Sequence, residues 1–220
     1  MGEWIPLTTP AGPVRAWLAR TEQPPKGAVV VVQEIFGVNP HIRSVTDRFA
    51  KAGFTAMAPA VFDVVRPEVE LGYDEGGVAV GRELTAELGI DRALQIVSAS
   101  ARWLRESGHR VGVVGFCWGG TVAMLANTRQ HMPSVTYYGG RSVPFLNEPA
   151  QAPMLFHFGE HDPIIPPDDV QKHRLHHPDA QIHVYDAGHG FNCEVRRDYD
   201  ADAATLAWSR TLDFLTEHLS

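Results

Sequence analysis

The residue best placed to do covalent chemistry is Cys117, in the run Gly115-Phe116-Cys117-Trp118-Gly119-Gly120. A β-branched stretch precedes this run and a helical pattern follows it. That is the strand–turn–helix context of the G-x-S-x-G nucleophile elbow, with sulfur in place of oxygen. The turn is tight, so side chains near the nucleophile must be absent. Gly115 and Gly119 supply that room, and Gly120 lets the helix pack close. The elbow lifts the thiol above the sheet while a helix N-terminus points at it, which lowers a thiol pKa from its usual value of about 8.5.

A thiol nucleophile needs a base, and the base needs an orienting group. Met154–Gly159 reads as a strand ending in Glu160-His161-Asp162-Pro163, which puts Asp162 in a loop at a strand's carboxyl end. Ile182-His183-Val184-Tyr185 leads into Asp186-Ala187-Gly188-His189-Gly190-Phe191, with His189 on a loop between two glycines. Nucleophile, then acid, then histidine is the chain order of α/β-hydrolases, and papain-like cysteine proteases use another. In this reading His189 takes the thiol proton and Asp162 fixes the tautomer and orientation of the ring.

The elements that must hold these residues alternate between short β-branched runs and helical patterns, the signal of a mostly parallel sheet. The expected architecture is an α/β-hydrolase fold with helices on both faces, as one domain over residues 1–220. Strands are predicted at 28–33, 54–59, 111–116, 134–138, 154–159 and 181–185. Helices are predicted at 41–52, closed by Gly53, at 84–106 and at about 119–127. Residues 61–81, rich in Gly, Pro and acids, read as an irregular insertion and a lid candidate. The tail from Tyr199 to Leu219 reads as an amphipathic helix with Leu206, Leu212 and Leu215 facing inward. No internal repeat, low-complexity tract or linker marks a boundary.

Composition narrows the partners. Hydrophobic residues make up 44% and charged residues 20% of 220 positions, ordinary values for a globular chain. A formal net charge of −7 argues against nucleic acid and against anionic membranes, leaving small molecules. The first residues lack a basic stretch followed by an apolar one, so no signal peptide is read there. The longest apolar runs are too short to cross a bilayer. Two cysteines do not make a disulfide framework, so a reducing, cytoplasmic location is expected.

Four segments together resemble the dienelactone hydrolase family, over nearly the whole chain. They are Gln33-Glu34-Ile35-Phe36-Gly37, Gly115-Phe116-Cys117-Trp118-Gly119-Gly120, Gly159-Glu160-His161-Asp162 and Gly188-His189-Gly190-Phe191. The resemblance implies a Cys117–His189–Asp162 triad and an oxyanion hole from the backbone N–H groups of Ile35 and Trp118. It also implies that Glu34 contacts the resting thiol. Neither metal nor cofactor is implied, and the substrate is a small ester or lactone. Oligomeric state stays open between a monomer and a small homo-oligomer.

One position departs from the family. Its best-known members carry an arginine four residues after the catalytic histidine, to hold a substrate carboxylate, and this chain has Cys193 there. Arg196, Arg197 and Arg82 are alternative cations. Cys193 also raises the question of a pairing with Cys117 on oxidation, which geometry decides. Tyr73, Tyr137, Tyr138, Phe191 and Trp118 are candidates for the pocket wall, although Tyr137 and Tyr138 end a strand and can serve packing alone. His173, His176 and His177, in a helical stretch, read as a solvated polar face rather than a zinc site. Two other functions fit the same residues: a general carboxylesterase or thioesterase, and a non-catalytic or thiol-redox binding protein. A complete triad and the lack of C-x-x-C count against the second.

Overall fold

In the computed structural model, which describes residues 2–220, the chain opens with an antiparallel hairpin, β1 (Glu3–Thr9) and β2 (Gly12–Ala19). Pro6 and Pro13 obscure this pair in the sequence. Pro6 is tolerated because β1 ends its strand order, where a missing N–H costs no inner ladder bond. Trp4 and Trp17 meet edge to face across the hairpin, with centroids 5.5 Å apart.

The chain forms two compact units. One contains the residues up to Gly112 with Leu219 and Ser220; the other is Val113–His218. In the first unit the hairpin is followed by β3 (Ala28–Val32), α1 (Pro40–Lys51), β4 (Thr55–Pro59) and α2 (Glu75–Glu106), with strand order β1-β2-β4-β3. β3 and β4 are parallel, and every residue of both is buried, as the apolar run of β3 leads one to expect. Asn39 caps α1 by accepting the Ile42 N–H, and the helix buries Ile42, Val45 and Phe49. Burying each such side chain is worth about 1.5–3 kcal/mol.

Residues 61–81 are more ordered than the sequence suggests. Val61–Val64 form a turn of 3-10 helix, Gly37 bridges Glu70, and helix begins at Glu75 rather than near Leu84. Asp74 caps that start, its carboxylate accepting the Gly77 N–H at 2.7 Å. The glycines that mask the helix are needed for close approach: a side chain on Gly77 would overlap the Gly72 carbonyl, and one on Gly81 that of Ile35. α2 kinks at Gly89, whose φ of 71° is the left-handed conformation glycine tolerates.

The second unit sets out the chemistry. β5 (Val111–Phe116), β6 (Ser134–Tyr137), β7 (Met154–Gly159) and β8 (Gln181–Tyr185) run parallel in that order. Phe116 stands beside Tyr137, Tyr137 beside His157, and Gly159 beside Tyr185. Because the strands are parallel and in this register, the segments leaving β5, β7 and β8 emerge at the same end. That end is where α/β sheets carry their sites. α3 (Trp118–Gln130) follows β5, α4 (Pro167–His176) follows β7, and α5 (Ala201–Leu219) closes the unit.

α5 packs differently from the expected leucine face. Leu206 is 46% exposed, and the buried positions include Ala203, Ala204, Ala207, Thr211, Phe214 and Leu215. Those six share one stripe at helical spacing, and small residues along it permit a close approach. Leu206 lies off the stripe. Among the described residues no helix is long and apolar enough to cross a membrane.

Buried histidines are expected to make this fold acid-sensitive. His157, His173 and His177 are buried, and for each of them loss of solvent pushes the pKa below its usual value. The expected solvated face is thus corrected for His173 on α4 and for His177 just after it, which pack against Phe156. The unfolded chain takes up protons at these sites below about pH 6.5, where the folded chain resists them. Their stabilising contribution is therefore complete above that pH and lost on acidification. Thermal melts should show a falling Tm from pH 7 to pH 5. A Tm unchanged across that range would contradict the buried, neutral assignment.

Candidate active site

Cys117 occupies the sharp turn between β5 and α3. Its φ of 52° and ψ of −120° are unusual for a residue with a side chain. Such strain costs about 1–3 kcal/mol and persists only where the surroundings enforce it. Here the Cys117 N–H donates to the Tyr137 carbonyl at 3.0 Å, and the Gly120 N–H donates to the Cys117 carbonyl at 2.9 Å. A side chain at Gly115 would overlap the Gly119 carbonyl, and one at Gly120 would press on Gly139, so both glycines are demanded sterically. The thiol is half-buried, at the N-terminus of the 13-residue α3.

His189 Nε2 lies 3.2 Å from Cys117 Sγ, and His189 Nδ1 lies 2.7 Å from Asp162 Oδ2. Three residues from separate loops therefore form one hydrogen-bonded line. Asp162 is fixed from its other oxygen, Oδ1, which accepts the N–H groups of Ile164 at 2.8 Å and Ile165 at 3.3 Å. The loops carrying Asp162 and His189 are also zipped together beyond the strand ends. Glu160 N–H donates to the Tyr185 carbonyl at 2.8 Å, and His161 N–H to the Ala187 carbonyl at 3.0 Å.

Asp162 and His189 are 4% and 3% exposed, so their pairing operates out of water. Burial works against a charged ring, but the hydrogen bonds to Asp162 and Cys117, with their charges, outweigh it and raise the His189 pKa to about 10. At neutral pH the ring is then charged and carries a proton on each nitrogen, one facing the Asp162 carboxylate and one facing the Cys117 sulfur. The edge of the Tyr138 ring packs against it, with centroids 5.1 Å apart. This arrangement can hold an activated sulfur nucleophile and hand a proton to a leaving group.

The remaining sequence candidates fall into distinct places. Tyr138, Phe191 and Cys193 have no exposed surface; Tyr138 and Phe191 pack against each other at 5.3 Å, close to the histidine loop. Both cysteines are free thiols. Arg196 is half-buried, and its guanidinium lies over Gly190, so close that a Cβ there would meet it at 2.7 Å. Arg197 is exposed.

In the first unit, Glu34 is fully buried just beyond β3 and Ile35 is half-buried. The Tyr73 hydroxyl accepts from Asn39 Nδ2 at 3.0 Å, and its ring sits 4.5 Å from Phe36. Arg82 is exposed on α2. A groove of about 650 Å³ lined by Pro153, Met154, His177, Gln181 and Phe214 lies at the starts of β7 and β8, the end opposite the triad.

Comparison with known proteins bears on the whole chain. The profile of the dienelactone hydrolase family matches residues 14–219. "Carboxymethylenebutenolidase 1" of Cupriavidus pinatubonensis (strain JMP 134 / LMG 1197) is 30% identical over 215 residues, covering 91% of this chain and 90% of that one. The "Probable 2-oxo-3-(5-oxofuran-2-ylidene)propanoate lactonase" of Bradyrhizobium sp. is 34% identical over 242 residues, covering 99% and 94%. Among solved structures, the "Putative Dienelactone Hydrolase" of Klebsiella pneumoniae subsp. pneumoniae MGH 78578 superposes with a TM-score of 0.88 at 28% identity, over 99% of this chain and 98% of that one. The fold is accordingly that of the α/β-hydrolases, a mostly parallel sheet with helices, and the chain belongs to the dienelactone hydrolase family.

Proposed function

We propose that this hydrolase cleaves the ester or lactone bond of a small molecule through a Cys117 thioester, with residues 1–220 acting as one catalytic domain. The observation that carries the reading is the unbroken line from Asp162 to His189 to Cys117, at 2.7 and 3.2 Å, on a strained elbow. The Cys117 thiolate attacks the substrate carbonyl carbon. A C–S bond forms, and the carbonyl electron pair moves to oxygen. The Trp118 N–H, first in α3, donates to that oxyanion. Family resemblance supplies Ile35 as the second donor.

Collapse of the tetrahedral species breaks the C–O bond, and the leaving oxygen takes the proton from His189 Nε2. In a lactone the leaving oxygen stays tethered to the acyl group. The neutral ring then removes a proton from water, the hydroxide attacks the thioester, and the acid departs as the thiolate re-forms beside the imidazolium. Asp162 holds the ring in the orientation both transfers need. A reducing cytoplasm suits a protein that works through a free thiol.

Family resemblance also assigns Glu34 as the partner of the resting thiol. Glu34→Gln should then change the rate of Cys117 alkylation and lower turnover. Identical rates in the variant and the wild type would remove Glu34 from the mechanism.

The substrate test is a panel of dienelactone, uncharged lactones and small aryl esters. Position 193 holds a buried thiol instead of a cation, so uncharged substrates should be turned over at least as well as the carboxylated lactone. Preference for aryl esters over every lactone would favour the carboxylesterase reading. Failure to hydrolyse any of them would contradict the proposed function.

A further inference from the structure

Beneath the triad lies a second line of polar groups that the mechanism above does not use. Arg210 Nη1 on α5 donates to the Tyr185 hydroxyl at 3.1 Å, and that hydroxyl lies 2.8 Å from His157 Nδ1. His157 Nε2 lies 3.0 Å from Thr211 Oγ1, which is 2.7 Å from the Tyr137 hydroxyl. His157, Thr211 and Tyr137 are fully buried, and Tyr185 is nearly so. Buried polar groups that satisfy one another in this way are costly to disturb and specify one arrangement.

The directions of these bonds follow from their chemistry. A guanidinium only donates, so Tyr185 accepts from Arg210, and the assignment that also leaves its O–H satisfied turns that hydrogen toward His157. His157 Nδ1 is then the acceptor, and the ring carries its one proton on Nε2, which donates to Thr211. Burial, reinforced by the nearby His183 and Arg210, holds the His157 pKa well below its usual value. The rings of Tyr137, Tyr185 and His183 face it at centroid distances of 4.6, 5.7 and 6.1 Å. A neutral ring with a single fixed tautomer is the state this chain of bonds requires.

The network touches the catalytic loop at defined points. The rings of Tyr185 and Tyr137 pack on Phe191, two residues after His189, at centroid distances of 5.2 and 6.3 Å. The Tyr137 carbonyl receives the Cys117 N–H, and the Tyr137 ring stacks on Phe116 at 4.7 Å. The His157 carbonyl receives the N–H of Tyr138, whose ring edge meets His189. One buried network thus borders both the nucleophile turn and the histidine loop.

We propose that the Arg210–Tyr185–His157–Thr211–Tyr137 network is a positioning device that sets the Cys117–His189 contact by anchoring the floor beneath both loops to α5. These are positioning residues, acting through the loops rather than on the sulfur. The proposal rests on the triad reading, because the contact it sets is the one that activates Cys117. A shift of about 1 Å in reacting groups can cost on the order of a hundredfold in rate.

Tyr185→Phe and Thr211→Val each delete one hydroxyl with little change of shape. The readouts are kcat and KM on an aryl ester and the pH dependence of Cys117 alkylation by iodoacetamide. In folded variants kcat should fall by about tenfold or more with KM little changed. The alkylation midpoint should rise above that of the wild type, because the Cys117–His189 contact is loosened. A merely structural network would lower Tm and leave the alkylation midpoint and kcat where they are, and that result would overturn the proposal.

A second measurement uses the wild-type protein and depends on no variant. The 15N shifts of His157 should report a neutral ring protonated at Nε2 at neutral pH. An Nδ1-protonated ring or an imidazolium would also overturn the proposal. Failure of the triad reading looks different: Cys117→Ala would then retain turnover, whatever the network variants do.

Discussion

Cys117→Ala should abolish hydrolysis, lowering kcat by about 10⁴-fold or more, close to the limit set by binding and oxyanion donors alone. The size follows from what the substitution removes. The sulfur is the group in line with His189 Nε2, 3.2 Å away. Without it His189 has no nucleophile to serve, and no thioester divides the reaction into two easier steps. Steady-state assays on an aryl ester check the rate. Circular dichroism confirms that the protein still folds, as alanine relieves none of the φ demand at this position but adds no bulk. Retention of more than a tenth of the wild-type kcat would contradict the assignment.

Asp162→Asn should lower kcat by about 10³- to 10⁴-fold, equivalent to about 4–5.5 kcal/mol of lost transition-state stabilisation. Two effects act together. An amide in place of the carboxylate permits the wrong ring tautomer, presenting a proton where the base is needed. It also removes the charge that offsets burial. In the wild type that charge, with the contact to Cys117, raises the His189 pKa to about 10. With it gone, burial favours the neutral ring and the His189 pKa falls.

The wild-type profile of kcat/KM should therefore decline on the alkaline side near pH 10, as the imidazolium loses its proton. In Asp162→Asn that decline should move toward neutral pH. A variant with wild-type kcat and an unmoved alkaline limb would remove Asp162 from the mechanism.

What could be read from the sequence was whatever announces itself locally. The elbow Gly115–Gly120, the strand before it and the helix after it are adjacent in the chain, so spacing alone identifies them. Asp162 and His189 were legible because parallel strands deliver their following loops to a common end, and each residue closely follows such a strand. The N-terminal hairpin was not legible, since prolines break its alternation. The start of α2 was hidden by Gly76 and Gly77, poor helix formers in its first turn, the second of them retained for close packing.

The buried network lay beyond sequence reasoning for a different reason. His157 sits in the middle of an apolar strand, Phe156-His157-Phe158, and its partners Tyr185 and Thr211 are 28 and 54 residues away. A histidine in such a run signals that a partner exists, because burying an unsatisfied polar group costs about 1–3 kcal/mol. It does not say which residue the partner is. Likewise the phase of α5 was set by the need for small residues along its inner stripe, so a pattern of leucines pointed to the wrong face at Leu206.

The central claim is that an acyl group passes through the sulfur of Cys117. Its most direct test is rapid-quench mass spectrometry of the wild-type protein during turnover of an aryl ester. The expected result is an added acyl mass on the tryptic peptide containing Cys117, labile to hydroxylamine and absent from Cys117→Ala. An acyl mass on another residue, or brisk turnover in Cys117→Ala with no adduct, would contradict it.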